Sequence, residues 1–267
     1  MKFKIFIIPI LALITIYLIL CMGLYIFQNK LIYHPIKLQN NYEFQFNFEY
    51  EELFMQSTDG FKLNGILAKL DTSKGVIFFL HGSGGNVERY RNNIPKYLKL
   101  NYDMFLLDYR GYGKSEGKIK SENQFFNDIR IAYDMLKSRY NEDQIVVIGF
   151  SLGTIPAAKI AGEKNPRLLI LESPHYSLIE SAKEKFPFLP VSIISKYKFE
   201  VFRYIQSVAS PIVIFCGKQD ESDVNNSIRL EEFLKPGDKV IILEGEGHKD
   251  FIFNDQYFNI VKDLLSN

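Results

Sequence analysis

Cysteine is nearly missing from the 267 residues, with only Cys21 and Cys216, in contexts too different for pairing to be expected. A disulfide scaffold and a cysteine-built zinc site are therefore excluded. An excess of either charge is also lacking: 32 Lys+Arg face 31 Asp+Glu, for a net charge of +1. That balance removes the basic footprint of nucleic-acid binding, so no nucleic-acid partner is expected. After Pro35 there is no Gly/Ser-rich linker, charge block or internal repeat. Together with 47% hydrophobic and 24% charged residues, this points to one globular domain of about 230 residues.

Charge is absent altogether from Ile5 to Phe27, a run of 23 residues flanked by Lys2 and Lys4 before it and Lys30 after it. As a helix it would measure about 35 Å, enough to cross a hydrocarbon core of about 30 Å. A cleaved signal peptide has a shorter apolar region and ends in small residues, and no such site follows here. A lipoprotein reading would lipidate Cys21, but Leu20 precedes it where a small residue belongs. The expectation is an uncleaved single-pass anchor over residues 1–30 and a catalytic domain over 31–267. Lys2, Lys4 and the terminal amine outweigh Lys30 and Lys37 slightly, which favours a cytoplasmic N-terminus and an extracytoplasmic domain.

Beyond the anchor, Leu53 to Thr58 and Phe61 to Leu70 flank Asp59-Gly60, a pair that favours a tight hairpin. The pattern then changes to short continuous apolar runs: Val76 to Leu80, Met104 to Leu107, Ile145 to Ile148, Leu168 to Leu171, Ile212 to Phe215 and Val240 to Leu243. Such runs suit strands buried on both faces of a parallel sheet. Asn86 to Leu100, Glu122 to Tyr140, Leu152 to Glu163, Val224 to Leu234 and Asp250 to Leu265 can carry the helical crossovers. The fold class is α/β: a mostly parallel sheet with helices on both faces and an antiparallel N-terminal hairpin. Residues 175–209 break the rhythm with Pro187, Pro190 and several aromatics, and are expected to form a small cap. Phe186, Phe188, Phe199 and Phe202 are expected to roof an apolar site there.

Gly149-Phe150-Ser151-Leu152-Gly153 follows the apolar run from Ile145 and precedes an Ala-rich helix. In a G-x-S-x-G turn the serine sits on a strained strand-to-helix bend, and the glycines let backbones pass without Cβ clashes. Ser151 is the candidate nucleophile; an N-capping serine in a glycine-rich turn is the bland alternative. His81-Gly82-Ser83-Gly84-Gly85-Asn86 follows Leu80, and its glycines allow backbone N–H groups to converge on a small anion. The donors expected for a developing oxyanion are the N–H groups of Ser83 and Leu152. A phosphate-binding turn is disfavoured, because neither G-x-G-x-x-G nor a complete P-loop is present.

Histidine is scarce as well, with four residues. His248, in Gly245-Glu246-Gly247-His248, lies after a late strand on a glycine-flanked loop that could present a general base. His175 competes, since it follows Glu172-Ser173-Pro174 at a strand end; it and His81 are assigned to substrate binding, and His34 lies beside the membrane. The acid should follow another strand, as Asp220 does after Phe215-Cys216-Gly217-Lys218-Gln219. Asp223 falls where the next helix should begin and suits N-capping, while Glu221 and Glu172 are further alternatives.

From Lys30 onward the chain resembles the membrane-anchored BEM46-like group of α/β-hydrolases, similar to the ABHD13 and ABHD17 proteins. The resemblance rests on Leu31-Ile32-Tyr33-His34-Pro35, Thr58-Asp59-Gly60, the His81 to Asn86 loop, Asp108-Tyr109-Arg110-Gly111-Tyr112-Gly113-Lys114-Ser115 and Gly149 to Gly153 with Pro156. Glu172-Ser173-Pro174, Phe186-Pro187-Phe188-Leu189-Pro190 and the Asp220 and His248 loops extend it. It implies Ser151 as nucleophile, Asp220 as acid and His248 as base. His175 departs from the more usual aromatic residue, and Asp223-Val224 replaces a more apolar, proline-containing stretch. The expected activity is hydrolysis of an ester or thioester of a small or protein-bound acyl substrate through an acyl-enzyme, with no metal and no organic cofactor. A serine peptidase and a catalytically silent membrane-bound binding module are the alternatives.

Overall fold

The computed structural model describes residues 2–249 and 251–266, with the side chains of residues 2–7 outside the description. The flanking Lys2 and Lys4 side chains and the expected helix start at Asp250 thus lie outside the described residues. In chain order the main strands are β1 (Tyr50–Gln56), β2 (Lys62–Ala68), β3 (Val76–Leu80), β4 (Asp103–Asp108), β5 (Ile145–Phe150), β6 (Leu168–Glu172), β7 (Ile212–Gly217) and β8 (Lys239–Leu243). They form one sheet in the order β8-β7-β6-β5-β3-β4-β2-β1. The β1–β2 and β2–β4 pairs are antiparallel and all the others are parallel. β3, β4, β5, β6 and β7 are buried along their whole length. This is why their runs show no polar alternation. Edge strand β8 is only half-buried.

The helices are α1 (Lys2–Ile32), α2 (Ile94–Leu98), α3 (Glu122–Lys137), α4 (Thr154–Glu163), α5 (Leu178–Lys185), α6 (Val191–Ile194), α7 (Val201–Ile205), α8 (Glu221–Glu231) and α9 (Asp255–Ser266). Two apolar clusters cover the two sheet faces, one around Phe78, Phe105 and Ile155, the other around Phe79, Ile148 and Tyr257. Asn86 to Leu100 is not one helix. A short 3-10 turn, Val87–Tyr90, is pinned by a 2.8 Å bond from the Val87 N–H to Asp108 Oδ1, and α2 starts afresh beyond it with Pro95 in its first turn.

Between β6 and β7 the chain forms α5, α6 and α7. Phe199 belongs to the core, edge-on to Phe125 and Phe126, and Phe202 stacks on Tyr176. Phe186 and Phe188 are exposed, so the four phenylalanines expected as a roof do not share one surface. The α6 region lies along α1. Tyr17 Oη donates to the Phe188 carbonyl (2.9 Å), the Lys196 N–H donates to Gln28 Oε1 (2.8 Å), and Tyr197 Oη donates to Asn29 Oδ1 (2.9 Å). From Ile8 to Ile32, α1 is long and apolar enough to cross a bilayer.

Candidate active site

Ser151 stands at the carboxyl end of the central strand β5, in the left-handed region at φ 51°. A non-glycine residue is held there only when its surroundings over-determine it, and the flanking glycines show how. A Cβ on Gly153 would sit 1.8 Å from the Leu80 carbonyl oxygen, and one on Gly149 would sit 2.5 Å from that of Gly153. The elbow is therefore pressed against the end of β3 with no room for a side chain at either glycine. Thr154 Oγ1 closes the turn by donating to the Ser151 carbonyl at 2.6 Å.

The 81–86 loop packs directly on this elbow: a Cβ on Gly82 would lie 3.5 Å from Ser151 Cβ and 3.2 Å from the Phe150 ring. His81 is fully buried, so the substrate contact expected of it is corrected. Its Nδ1 lies 2.8 Å from the Gly82 carbonyl. A carbonyl only accepts, so Nδ1 carries the proton. Because the peptide is trans, that bond turns the Ser83 N–H away from the ring. Desolvation pulls the His81 pKa down to about 4, and the ring stays neutral. Ser83 and Leu152 follow adjacent parallel strands, β3 and β5, at the carboxyl edge of the sheet.

A second layer steadies the loop from outside. His34–Pro35 pairs in parallel with Gly84–Gly85, and the Ser83 carbonyl accepts from the His34 N–H (2.9 Å) and Tyr112 Oη (2.7 Å). Asn86 Nδ2 donates to the Ile36 carbonyl at 3.1 Å. The Asp108 to Ser115 motif also serves this brace. A Cβ on Gly113 would fall 1.8 Å from Asp108 Oδ2, and fully buried Arg110 is bonded to both Asp59 and Asp128. These roles of His34, Ile36, Asn86 and Tyr112 were not read from the sequence, because a two-residue parallel pairing leaves no local pattern.

His248 approaches from the edge of the sheet. A Cβ on Gly217 would lie 2.6 Å from the Glu246 and Gly247 backbone, and the Gln219 N–H donates to the Glu246 carbonyl at 2.8 Å. The missing side chain at Gly217 thus lets the His248 loop lie against the turn after β7. His248 Nε2 is 2.9 Å from Ser151 Oγ, and Nδ1 is 2.8 Å from Asp223 Oδ2. The hydrogen bond expected from Asp220 is therefore made by Asp223. Asp220 Oδ2 lies 3.7 Å from Nδ1, and its Oδ1 caps α8 by accepting the Asp223 N–H at 3.1 Å. The physical reason is where the helix begins: α8 starts at Glu221 rather than Val224, which makes Asp220 the N-cap and turns Asp223 inward from the first turn. The Asp223 side chain is 4% exposed and that of Asp220 27%. The Asp220-x-x-Asp223 spacing resembles a capping signature that could have revealed this.

The hydrogen bond to Asp223 raises the His248 pKa, against partial burial and with the help of the Asp220 charge. His175 is half-buried beside this group; desolvation lowers its pKa, and the His248 charge lowers it further. Asp220, Asp223 and His248 are also the group among the described residues that could offer three atoms to a metal ion. Both ring nitrogens of His248 are already hydrogen-bonded, to Asp223 and Ser151, so an ion would have to displace one of these partners.

This architecture has solved counterparts. Over 88% of this chain and 97% of the other, it superposes on an esterase of Pyrococcus furiosus with a TM-score of 0.70 at 23% identity. An acetyl xylan esterase from Paenibacillus sp. R4 matches with a TM-score of 0.65 at 15% identity, over 82% of this chain and 89% of that one. The hydrolase family model described as "Serine aminopeptidase, S33" matches residues 71–201. The chain has the α/β-hydrolase fold. Among curated α/β-hydrolases it is 29% identical over 202 residues to Alpha/beta hydrolase domain-containing protein 17C of Xenopus tropicalis, covering 73% of this chain and 63% of that protein. It is 28% identical to protein 17B of Homo sapiens, covering 73% and 67%. The match spans just under two thirds of the length of these 17C relatives.

Proposed function

We propose that this chain is a membrane-anchored serine hydrolase cleaving a carboxylic ester or thioester of an acyl-protein or lipid-like substrate. The observation that carries the reading is the simultaneous engagement of His248 by Ser151 Oγ and Asp223. Ser151 Oγ attacks the acyl carbon while Nε2 of His248 accepts its proton; the Ser83 and Leu152 N–H groups bind the developing oxyanion. Asp223 holds the Nδ1–H tautomer and stabilises the imidazolium. The imidazolium then protonates the leaving group, and water, deprotonated by His248, releases the acyl group. The reaction so drawn uses no metal or organic cofactor. His175 borders the substrate. α1 would span the bilayer once, with the Lys2/Lys4 end cytoplasmic and the domain outside.

Labelling the full-length chain with a fluorophosphonate should place the adduct on Ser151. Retained labelling in Ser151→Ala would sink the assignment, and a parent chain that takes no label would leave the silent binding module standing. The peptidase reading is favoured by the description of the matching family model. Parallel panels of acyl esters, acyl thioesters and peptides decide between them; turnover confined to peptides would reject the ester reading. For the anchor, the chain should remain in membranes after a carbonate wash, and a C-terminal reporter should be extracytoplasmic.

A further inference from the structure

Where α1 ends, a cleft of about 290 Å³ opens between the last helical turn, the strand that leaves it and the loop after β4. Its walls include Lys30, Tyr33, Lys37, Arg110, Gly117 and Lys118. Among the described residues, none that lines it is acidic. Arg110 is already committed to Asp59 and Asp128. Lys69, Lys137, Lys164 and Lys218 each pair with a carboxylate, whereas among the described residues Lys30, Lys37 and Lys118 have none within ion-pair distance. Lys37 donates one bond to the Ser115 carbonyl and feels Asp108 and Glu116 only at longer range; desolvation still dominates and lowers its pKa. Three lysines thus line one concavity with no carboxylate in ion-pair contact, and an anion placed there would be attracted to all three. The volume is at the low end for ligand pockets and suits a small group. Gly111 and Gly117 both have positive φ and leave the floor without side chains.

Position names the anion. Lys30 is in the last turn of α1, at the end of the apolar run that reaches Ile32. If α1 spans the bilayer, as the proposed function requires, this end meets the phosphate layer of the leaflet. We infer that the cleft binds the phosphate of an anionic phospholipid headgroup in the leaflet where α1 ends. Pro35 and Tyr112 also line it, and both belong to the brace of the Ser83 loop.

The test uses the full-length chain in detergent, with lipid retention followed by native mass spectrometry against phosphatidylglycerol and phosphatidylcholine. One phosphatidylglycerol per chain should be retained in preference to phosphatidylcholine. The variant Lys30→Gln/Lys37→Gln/Lys118→Gln should weaken retention by about fivefold per lysine, on the order of 100-fold in all. The control Lys99→Gln/Lys239→Gln/Lys262→Gln removes the same charge from exposed sites elsewhere and should retain the lipid. Equal affinity for the two lipids, or equal losses in the two triple variants, overturns the site. Displacement by millimolar inorganic phosphate without preference between the lipids overturns the membrane source in favour of a soluble phosphate ester. Should the triple variant not fold, Lys118→Glu alone must weaken retention. Carbonate extraction is read separately: release of the chain from membranes rejects the anchor, whereas an anchored chain without lipid preference rejects only the cleft.

Discussion

The two halves of the site are built differently. The nucleophile half, Ser151 with the 81–86 loop, is held by backbone sterics at the centre of the sheet: Gly82, Gly149 and Gly153 tolerate no Cβ without close contacts to main chain or ring. The base half stands on loops at the edge of the sheet, where the His248 side chain is 37% exposed and is oriented through single hydrogen bonds. A steric constraint dictates residue identity at fixed spacing, whereas a single hydrogen bond can be supplied from several positions of a turn. The identity of a hydrogen-bond partner is therefore harder to read in the second half than the positions of the glycines and Ser151 in the first.

The largest expected effect removes the nucleophile. Ser151→Ala should lower turnover by about 10⁶-fold, by analogy with other triad serines, and single-turnover assays would expose any slower route. Next comes a comparison of two glycines. Gly153→Ala places a Cβ 1.8 Å from a main-chain oxygen and should cost about 3 kcal/mol, the upper part of the overpacking range, or more. A Cβ on Gly247 meets nothing within 4 Å, and Gly247→Ala should change stability by less than about 0.5 kcal/mol. Comparable shifts in thermal midpoint for the two would refute the contrast between the halves.

A smaller effect concerns pH. His248 must be neutral to accept the Ser151 proton, and its pKa is raised above 6.5, so kcat/KM should fall on acidification with a midpoint above pH 6.5. Removing the negative charge at Asp220 destabilises the imidazolium, so Asp220→Asn should move that midpoint downward; an upward movement would contradict the geometry. Least of all, Asp220→Ala should cost about 1 kcal/mol in stability through loss of the α8 cap, as urea unfolding would measure, while Asp220→Asn should cost much less because Asn caps well.

Legibility followed that divide at the glycines and Ser151 but not at His81. The apolar runs of β3 to β7, the hairpin about Asp59-Gly60 and the elbow at Ser151 were readable because double-sided burial and Cβ exclusion each impose a pattern within a few residues. Asp220 and Asp223 could not be ordered by the same means, since the outcome turned on whether α8 began at Glu221 or three residues later. His81 read as a pocket residue because strand-end position does not reveal that Tyr109 and Tyr112 close over the ring. The bond between Val87 and Asp108, which splits the expected helix after Asn86, is a tertiary contact with no local signal.

The most direct test of the account is to measure turnover of Asp223→Asn and Asp220→Asn side by side, with thermal midpoints confirming that both are folded. Asp223 makes the 2.8 Å bond that fixes the His248 tautomer, so its replacement should lower kcat by as much as about 10⁴-fold, whereas Asp220→Asn should stay within about tenfold of the parent. A large loss in Asp220→Asn with near-normal turnover in Asp223→Asn would contradict the assignment.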